Sequence, residues 1–138
     1  MTTSFVVDSS AIVAILNQEV EADHFLSILS LQQRLIGWPT IFETRIWTIR
    51  NRPDAQNPWL DIFIDSELTR AIAFDGQLEK LSARAYRQFG KGRHPAQLNY
   101  GDCMAYAVAR QHDVPLLFKG ADFAQTDVKV HPNSVVII

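Results

Sequence analysis

Five acidic residues stand where a chain could do chemistry. Asp8 closes the apolar stretch Phe5-Val6-Val7 and leads into Ser9-Ser10. Glu43 falls just beyond Pro39-Thr40, and Asp102 follows Asn99-Tyr100-Gly101. Asp122 and Asp127 lie shortly after Pro115-Leu116-Leu117-Phe118. Asp8, Glu43 and Asp102 each have an ordinary explanation, because aspartate and glutamate near a helix start satisfy free N–H groups and the positive end of the dipole. Several of them gathered at one edge would do something else. Crowded carboxylates repel one another unless a cation sits among them, and an all-oxygen cluster with room for water suits Mg²⁺ first and Mn²⁺ second. Such an ion orients a water, lowers its pKa and stabilises charge on a phosphate.

Whether the acids meet depends on the elements that carry them. Strand-like and helix-like segments alternate, which is the pattern of an α/β domain with a mostly parallel sheet. Ser4–Val7 reads as a strand buried on both faces, since its apolar run shows no polar alternation. Ser9–Leu16 and Glu19–Leu31 read as helices, the second with Ala22, Phe25, Leu26 and Leu29 on one face. Leu35–Trp38 is a short strand. Thr40 and Glu43 then have capping-box spacing, which predicts a helix starting at Thr40 with Glu43 in its first turn. Ile41, Phe42, Ile46, Trp47 and Ile49 follow at helical spacing, and the helix is expected to end in Arg50-Asn51-Arg52-Pro53-Asp54.

A helix over Pro58–Asp65, a strand over Thr69–Phe74, a turn at Asp75-Gly76 and an amphipathic helix over Gln77–Phe89 come next. Residues 90 to 98 read as loop. Asn99 opens a helix to about Gln111, and Pro115–Phe118 is a buried strand. Lys119–Asp127 reads as polar turns and Val135–Ile138 as a last strand. In open α/β sheets ligands bind beyond the carboxyl ends of the strands. Asp8, Glu43 and Asp122 are therefore expected at that edge. Asp102 has no strand before it, so its place there is an inference.

Composition narrows the classes. With 47% hydrophobic and 20% charged residues in 138, the chain is expected to form one globular domain over residues 1–138. No apolar run approaches the roughly 20 residues that span a bilayer, and Met1-Thr2-Thr3-Ser4 lacks a signal-peptide pattern. The single cysteine, Cys103, excludes an internal disulfide and fits the cytoplasm; it reads as a small buried residue. The four histidines are scattered, so zinc spacing is absent, and there is no G-x-S-x-G elbow. Gly90-Lys91-Gly92 lacks the spacing of a phosphate-cradling loop.

The net charge of −2 argues against a nucleic-acid binder unless the charges are segregated, and they are. Arg84, Arg87, Lys91, Arg93 and His94 run without an acid between them, and Arg45, Arg50 and Arg52 form a second group. Trp38, Trp47 and Trp59 are candidates for base stacking, although core or dimer packing is the commoner use of large aromatics.

Asn99-Tyr100-Gly101-Asp102-Cys103 and Leu116-Leu117-Phe118-Lys119-Gly120-Ala121-Asp122-Phe123, with Thr126-Asp127 and the opening Val-Val-Asp-Ser-Ser-Ala, resemble the PIN-domain ribonucleases. More specifically, the chain looks like a VapC-type toxin of a bacterial type II toxin–antitoxin pair, and the resemblance covers nearly its whole length. It implies a three-layer α/β/α sandwich around a mostly parallel sheet. It implies that Asp8, Glu43 and Asp102 hold Mg²⁺ or Mn²⁺, with Asp122 as a fourth acid whose role Asp127 could share. It implies endonucleolytic cleavage of RNA by attack of a metal-activated water on the phosphodiester. A VapB-type antitoxin occluding the site and a homodimer or toxin–antitoxin hetero-oligomer are implied as well. Arg45, Arg50, Arg84, Arg87 and Arg93 are the candidates to hold the RNA backbone, since a negative site needs basic neighbours to attract a polyanion.

Two other classes compete. A catalytically silent module would keep the acids as caps and act through an antitoxin or dimer surface. A phosphotransfer enzyme would use Asp8 as nucleophile, but position 10 is Ser10 where one such pattern wants a second aspartate, and the first strand ends in only one acid.

Overall fold

The computed structural model describes residues 4–52 and 58–137. The amino-terminal tripeptide, Pro53, Asp54 and Ile138 lie outside them, so the expectations placed on those residues are not addressed.

Strand β1 is Phe5–Val7, followed by helices α1 (Ser9–Leu16) and α2 (Ala22–Leu29). Strand β2 (Arg34–Gly37) runs directly into α3 (Trp38–Asn51). Then come α4 (Trp59–Asp65), β3 (Thr69–Ile72), α5 (Gly76–Phe89) and α6 (Tyr100–His112). Strands β4 (Leu116–Leu117), β5 (Lys119–Gly120) and β6 (Val135–Val136) complete the order, with a 3₁₀ turn at Phe123–Gln125.

The central sheet has the order β3-β2-β1-β4 with every pair parallel. Side chains alternate across a strand, so consecutive residues of β1 feed different layers. Val6, Leu35 and Leu116 pack with α5 and α6. Phe5, Val7, Ile36 and Leu117 pack with α1 to α4. The result is the α/β/α sandwich expected. Because all four strands run one way, their carboxyl ends share one edge.

Several boundaries differ from the sequence reading, each for a physical reason. Pro39 sits in the first turn of α3, where its fixed φ and missing N–H cost nothing, and it draws the helix start back to Trp38. The cap is Gly37, without a side-chain bond. The Thr40–Glu43 capping box is therefore not formed. Thr40 is buried inside the first turn, its carbonyl accepting from the Thr44 hydroxyl at 2.8 Å, and Glu43 moves to the second turn. The apolar stripe on α3 lies mostly outside: Ile41 is buried, whereas Phe42, Ile46 and Ile49 are exposed. Helix α2 is shorter than expected, and its Leu26 is exposed while Ile28 packs inside. Asp75 is a helix cap, accepting from the Leu78 N–H at 2.9 Å, where a turn was expected. Within the polar stretch Lys119–Asp127, β5 forms a parallel pair with β6.

Candidate functional site

Asp8 is the first residue past β1. Its own N–H continues the ladder to the Leu117 carbonyl at 3.0 Å, which fixes the backbone at the carboxyl edge. Its Oδ2 accepts from the Ser10 N–H at 3.0 Å, so it does cap α1. The side chain is nearly inaccessible, at 3% exposure. Burial pushes its carboxyl above the ordinary range, hydrogen bonds from Ser10 and Ser9 oppose the rise, and repulsion from Asp122 adds to it.

Glu43 reaches the same place from α3. It is half-buried, and its carboxyl is raised by burial first and by the charge of Asp8 second, while a hydrogen bond from Ser9 lowers it. Space for it comes from Gly101. A Cβ built at that position would stand 2.2 Å from Glu43 Oε2 and 2.7 Å from its Cδ. The backbone of Gly101 is helical, so this glycine is required by close approach and not by conformation.

Asp102 arrives by a different route. Helix α6 delivers the chain through Val114 and Pro115 to the amino end of β4, so it runs against the strands and begins at their carboxyl edge. That supplies the placement which the missing strand left open. A reciprocal capping box fixes the residue: Asn99 Oδ1 accepts from the Asp102 N–H at 2.8 Å, and Asp102 Oδ2 accepts from the Asn99 N–H at 3.0 Å. Burial, with repulsion from Asp8, Asp122 and Glu43, still raises the Asp102 carboxyl to about 7, against the pull of the Asn99 bond. None of the influences on Asp8, Glu43 or Asp102 comes from a basic side chain.

The two carboxyl-terminal acids separate. Asp122 is close enough to Asp8 and Asp102 to raise both. Asp127 is engaged elsewhere: it accepts from the Tyr106 hydroxyl and stands 3.6 Å from Arg110. Among the described residues no three acidic, histidine or cysteine side chains are arranged to grip an ion as they stand. The chemistry of the side chains present, four carboxylates with no basic side chain acting on Asp8, Glu43 or Asp102, suits a hard divalent ion held partly through water.

The arginines are dispersed. Arg45 is paired with Asp61 at 2.8 Å, Arg50, Arg84 and Arg87 are exposed, and Arg93 lies over the Tyr86 ring at 6.0 Å. Trp38 is exposed, Trp47 half-buried, and Trp59 stacks on Phe63 with centroids 5.2 Å apart. Cys103 is buried, its thiol pushed up to about 11 by burial and by Asp102.

A parallel α/β/α sandwich with an uncompensated acidic site at the carboxyl edge of its sheet defines the class. The PIN-domain pattern matches residues 5–129, and the chain belongs to the PIN-domain family. Ribonuclease VapC30 of Mycobacterium tuberculosis is 36% identical over 124 residues, covering 89% of this chain and 95% of the relative. Among solved structures, Mycobacterium tuberculosis VapC20, described as a sarcin–ricin loop cleaving toxin, superposes with a TM-score of 0.75 at 14% identity, covering 90% and 95% of the two chains. A toxin–antitoxin complex from Klebsiella pneumoniae gives 0.69 at 16% identity, covering 95% and 99%.

Proposed function

We propose that this chain is the toxin of a type II toxin–antitoxin pair and acts as a divalent-metal-dependent endoribonuclease. The observation that carries the reading is the gathering of Asp8, Glu43, Asp102 and Asp122 with no basic side chain acting on the first three. A protein that keeps four carboxylates together at such a cost in desolvation and repulsion gains from it only if a cation joins them. The VapC relatives support the ribonuclease assignment.

Asp8, Asp102, Glu43 and Asp122 would hold Mg²⁺ or Mn²⁺. When bound, the ion supplies an activated water and neutralises charge developing on the phosphate. The chain's own groups do the rest. The Ser10 N–H holds Asp8. The capping box occupies only Oδ2 of Asp102, leaving its other oxygen for the site. The Ser9 hydroxyl and the space left by Gly101 aim Glu43, which we assign to positioning the attacking water. Burial and the charge of Asp8 raise its carboxyl, which makes it a better proton acceptor than an ordinary glutamate. In-line attack forms the new P–O bond and breaks the bond to the 3′ oxygen, leaving a 3′-hydroxyl and a 5′-phosphate.

A cognate VapB-type antitoxin is the expected partner, and the toxin–antitoxin complex of the same fold supports it. The exposed Phe42, Ile46 and Ile49 of α3 offer an apolar surface for that partner or for a second copy of the chain. No helix among the described residues is long and apolar enough to cross a membrane. We place the protein in the cytoplasm, with its RNA.

The test is cleavage of total bacterial RNA by antitoxin-free protein with Mg²⁺, Mn²⁺ or EDTA. Discrete fragments that need metal and disappear in Asp8→Asn support the reading. Folded, partner-free protein that leaves RNA intact in all three conditions returns the acids to helix capping, and the catalytically silent module becomes the better account.

A further inference from the structure

The edge of the sheet opposite the acids carries the reverse charge. Strands β1, β2 and β3 are parallel, so their amino ends meet there, and α6, which runs against them, ends beside them at His112. At these ends lies a cleft of 390 Å³, lined by Gln33, Arg34, Glu67, Thr69, Arg70 and His112 among others. Its size falls within the roughly 300–1,000 Å³ of small-molecule sites. None of Asp8, Glu43, Asp102 and Asp122 lines it.

Its cations lack counter-ions among the described residues. Arg70 is exposed and makes no hydrogen bond or ion pair among them. Arg34 is buried with no acid paired to it. Its Nε donates to the Thr69 hydroxyl at 2.8 Å, its Nη1 donates to the Leu29 carbonyl, and its guanidinium lies 4.6 Å from the Phe63 ring centre. Glu67 lines the cleft and pairs with neither arginine. His112 sits in the last turn of α6, where a protonated imidazole would suit the negative end of the helix dipole. Instead burial first and the charge of Arg70 second lower its pKa, and its Nε2 is buried with no hydrogen-bond partner among the described residues. A buried ring nitrogen without a partner and a cation close to it are both unfavourable. One group resolves both. An anion accepts from His112 Nε2–H and from the Arg70 fork, and its charge offsets the repulsion between them.

We propose that this cleft is a binding site for a small phosphate monoester, with Arg70 and His112 holding the phosphate, Arg34 adding positive charge at the wall, and Glu67 and Gln33 meeting hydroxyl or amide groups on the rest of the ligand. A phosphate monoester carries about −1.5 to −2 charges at neutral pH and three acceptor oxygens, which matches two arginines and a histidine better than a single carboxylate does. The volume leaves room for the esterified group beside it. The assignment goes beyond the ribonuclease reading and does not depend on it, since it uses no residue of the acidic site and no metal.

The experiment is an NMR titration of the isotope-labelled full chain in EDTA at constant ionic strength. The probes are inorganic phosphate, adenosine monophosphate, glycerol phosphate and, as a control, adenosine. Signals of the His112 ring and the Arg70 side chain should shift saturably with at least one ester and stay still with adenosine. Inorganic phosphate should saturate at higher concentration than that ester. Arg70→Met should weaken ester binding roughly tenfold, the scale of one lost charge-assisted hydrogen bond. His112→Phe, which keeps a ring and loses the N–H, should weaken it similarly, and Lys80→Met on the surface of α5 should not. Arg70 is exposed, so Arg70→Met should melt with wild type and its loss of binding cannot be put down to unfolding.

Shifts that never saturate, or that are as large in Arg70→Met as in wild type, overturn the site. Inorganic phosphate saturating at the same concentration as the esters overturns the monoester. If no ester moves His112 while Arg70→Met weakens binding of an RNA oligonucleotide, the cleft is a stretch of RNA contact and the proposal falls.

Discussion

The two ends of α1 carry acids in opposite electrical circumstances. Past the carboxyl end, Glu19 and Glu21 share the Lys119 ammonium, at 2.5 and 2.9 Å, and that hydrogen bonding holds both carboxyls below their ordinary range. At the amino end, Asp8 meets Asp122, Glu43 and Asp102, and burial with mutual repulsion raises the carboxyls of Asp8, Glu43 and Asp102. One group is neutralised from within the chain. The other is left for something outside it. Lys119 links the two groups in space, since its N–H donates to Ser10 Oγ at 3.0 Å while its side chain turns to the glutamates. Charge compensation inside the fold marks a structural contact; its absence marks a site.

The contrast can be broken hardest at Asp8. Asp8→Asn should cut RNA cleavage by roughly 10³-fold, the scale of losing one preorganised electrostatic group. The same change should raise the stability of the metal-free protein by about 1 kcal/mol, because the amide still accepts from Ser10 without a buried charge. Steady-state kinetics and denaturant melts read the two effects, and a simple cap would lose stability and leave activity alone.

Gly101→Ala comes next. The new Cβ displaces Glu43, and a misplacement of about 1 Å costs on the order of 10²-fold in rate. Melting should change little, since alanine favours the helix by about 1 kcal/mol and offsets part of the clash. A third comparison sets Asp122→Asn against Asp127→Asn. The first should lower kcat clearly; the second should leave it within about twofold, because its carboxylate serves Tyr106 and Arg110.

The smallest effect is on pH dependence, and its sign differs between the two ends. Asp102 titrates near 3.8 when unfolded and about 7 when folded, so the native state binds the extra proton. Stability from this group is full below pH 3.8 and is lost as pH rises through about 7. The Glu19 and Glu21 pair with Lys119 works the other way, present above the ordinary 4.5 and lost as pH falls through the lowered values. Asp102→Asn should therefore flatten the decline of metal-free Tm between weakly acidic and neutral pH. Lys119→Met should remove part of the fall in stronger acid and lower Tm modestly at neutrality.

Parts of this were legible in the sequence. Phe5-Val6-Val7 reads as a doubly buried strand because a three-layer sheet leaves it no polar face, and Asp8 at its end follows. Asn99 and Asp102 announce their cap by spacing alone. Other parts depend on contacts that no local pattern encodes. The amphipathic stripe of α3 shows that one face is apolar, not which face meets the core, and Phe42 and Ile49 lie outside. Pro39 outweighed Thr40 as the helix start. A two-residue strand such as Lys119–Gly120 has no periodicity to read, since its identity lies in the pairing with Val135–Val136. Gly101 was visible as a glycine beside an acid, but its purpose appears only once Glu43, distant in sequence, is set against it.

The most direct test of the central claim is a calorimetric titration of metal-free protein with Mn²⁺ at neutral pH, for wild type and Asp102→Asn, with Tm measured before and after. Wild type should bind with measurable heat and gain Tm on loading, while the variant should bind weakly and start from a higher metal-free Tm. Absence of binding in both, with Asp102→Asn no more stable than wild type, would show that the acids are helix caps and nothing more.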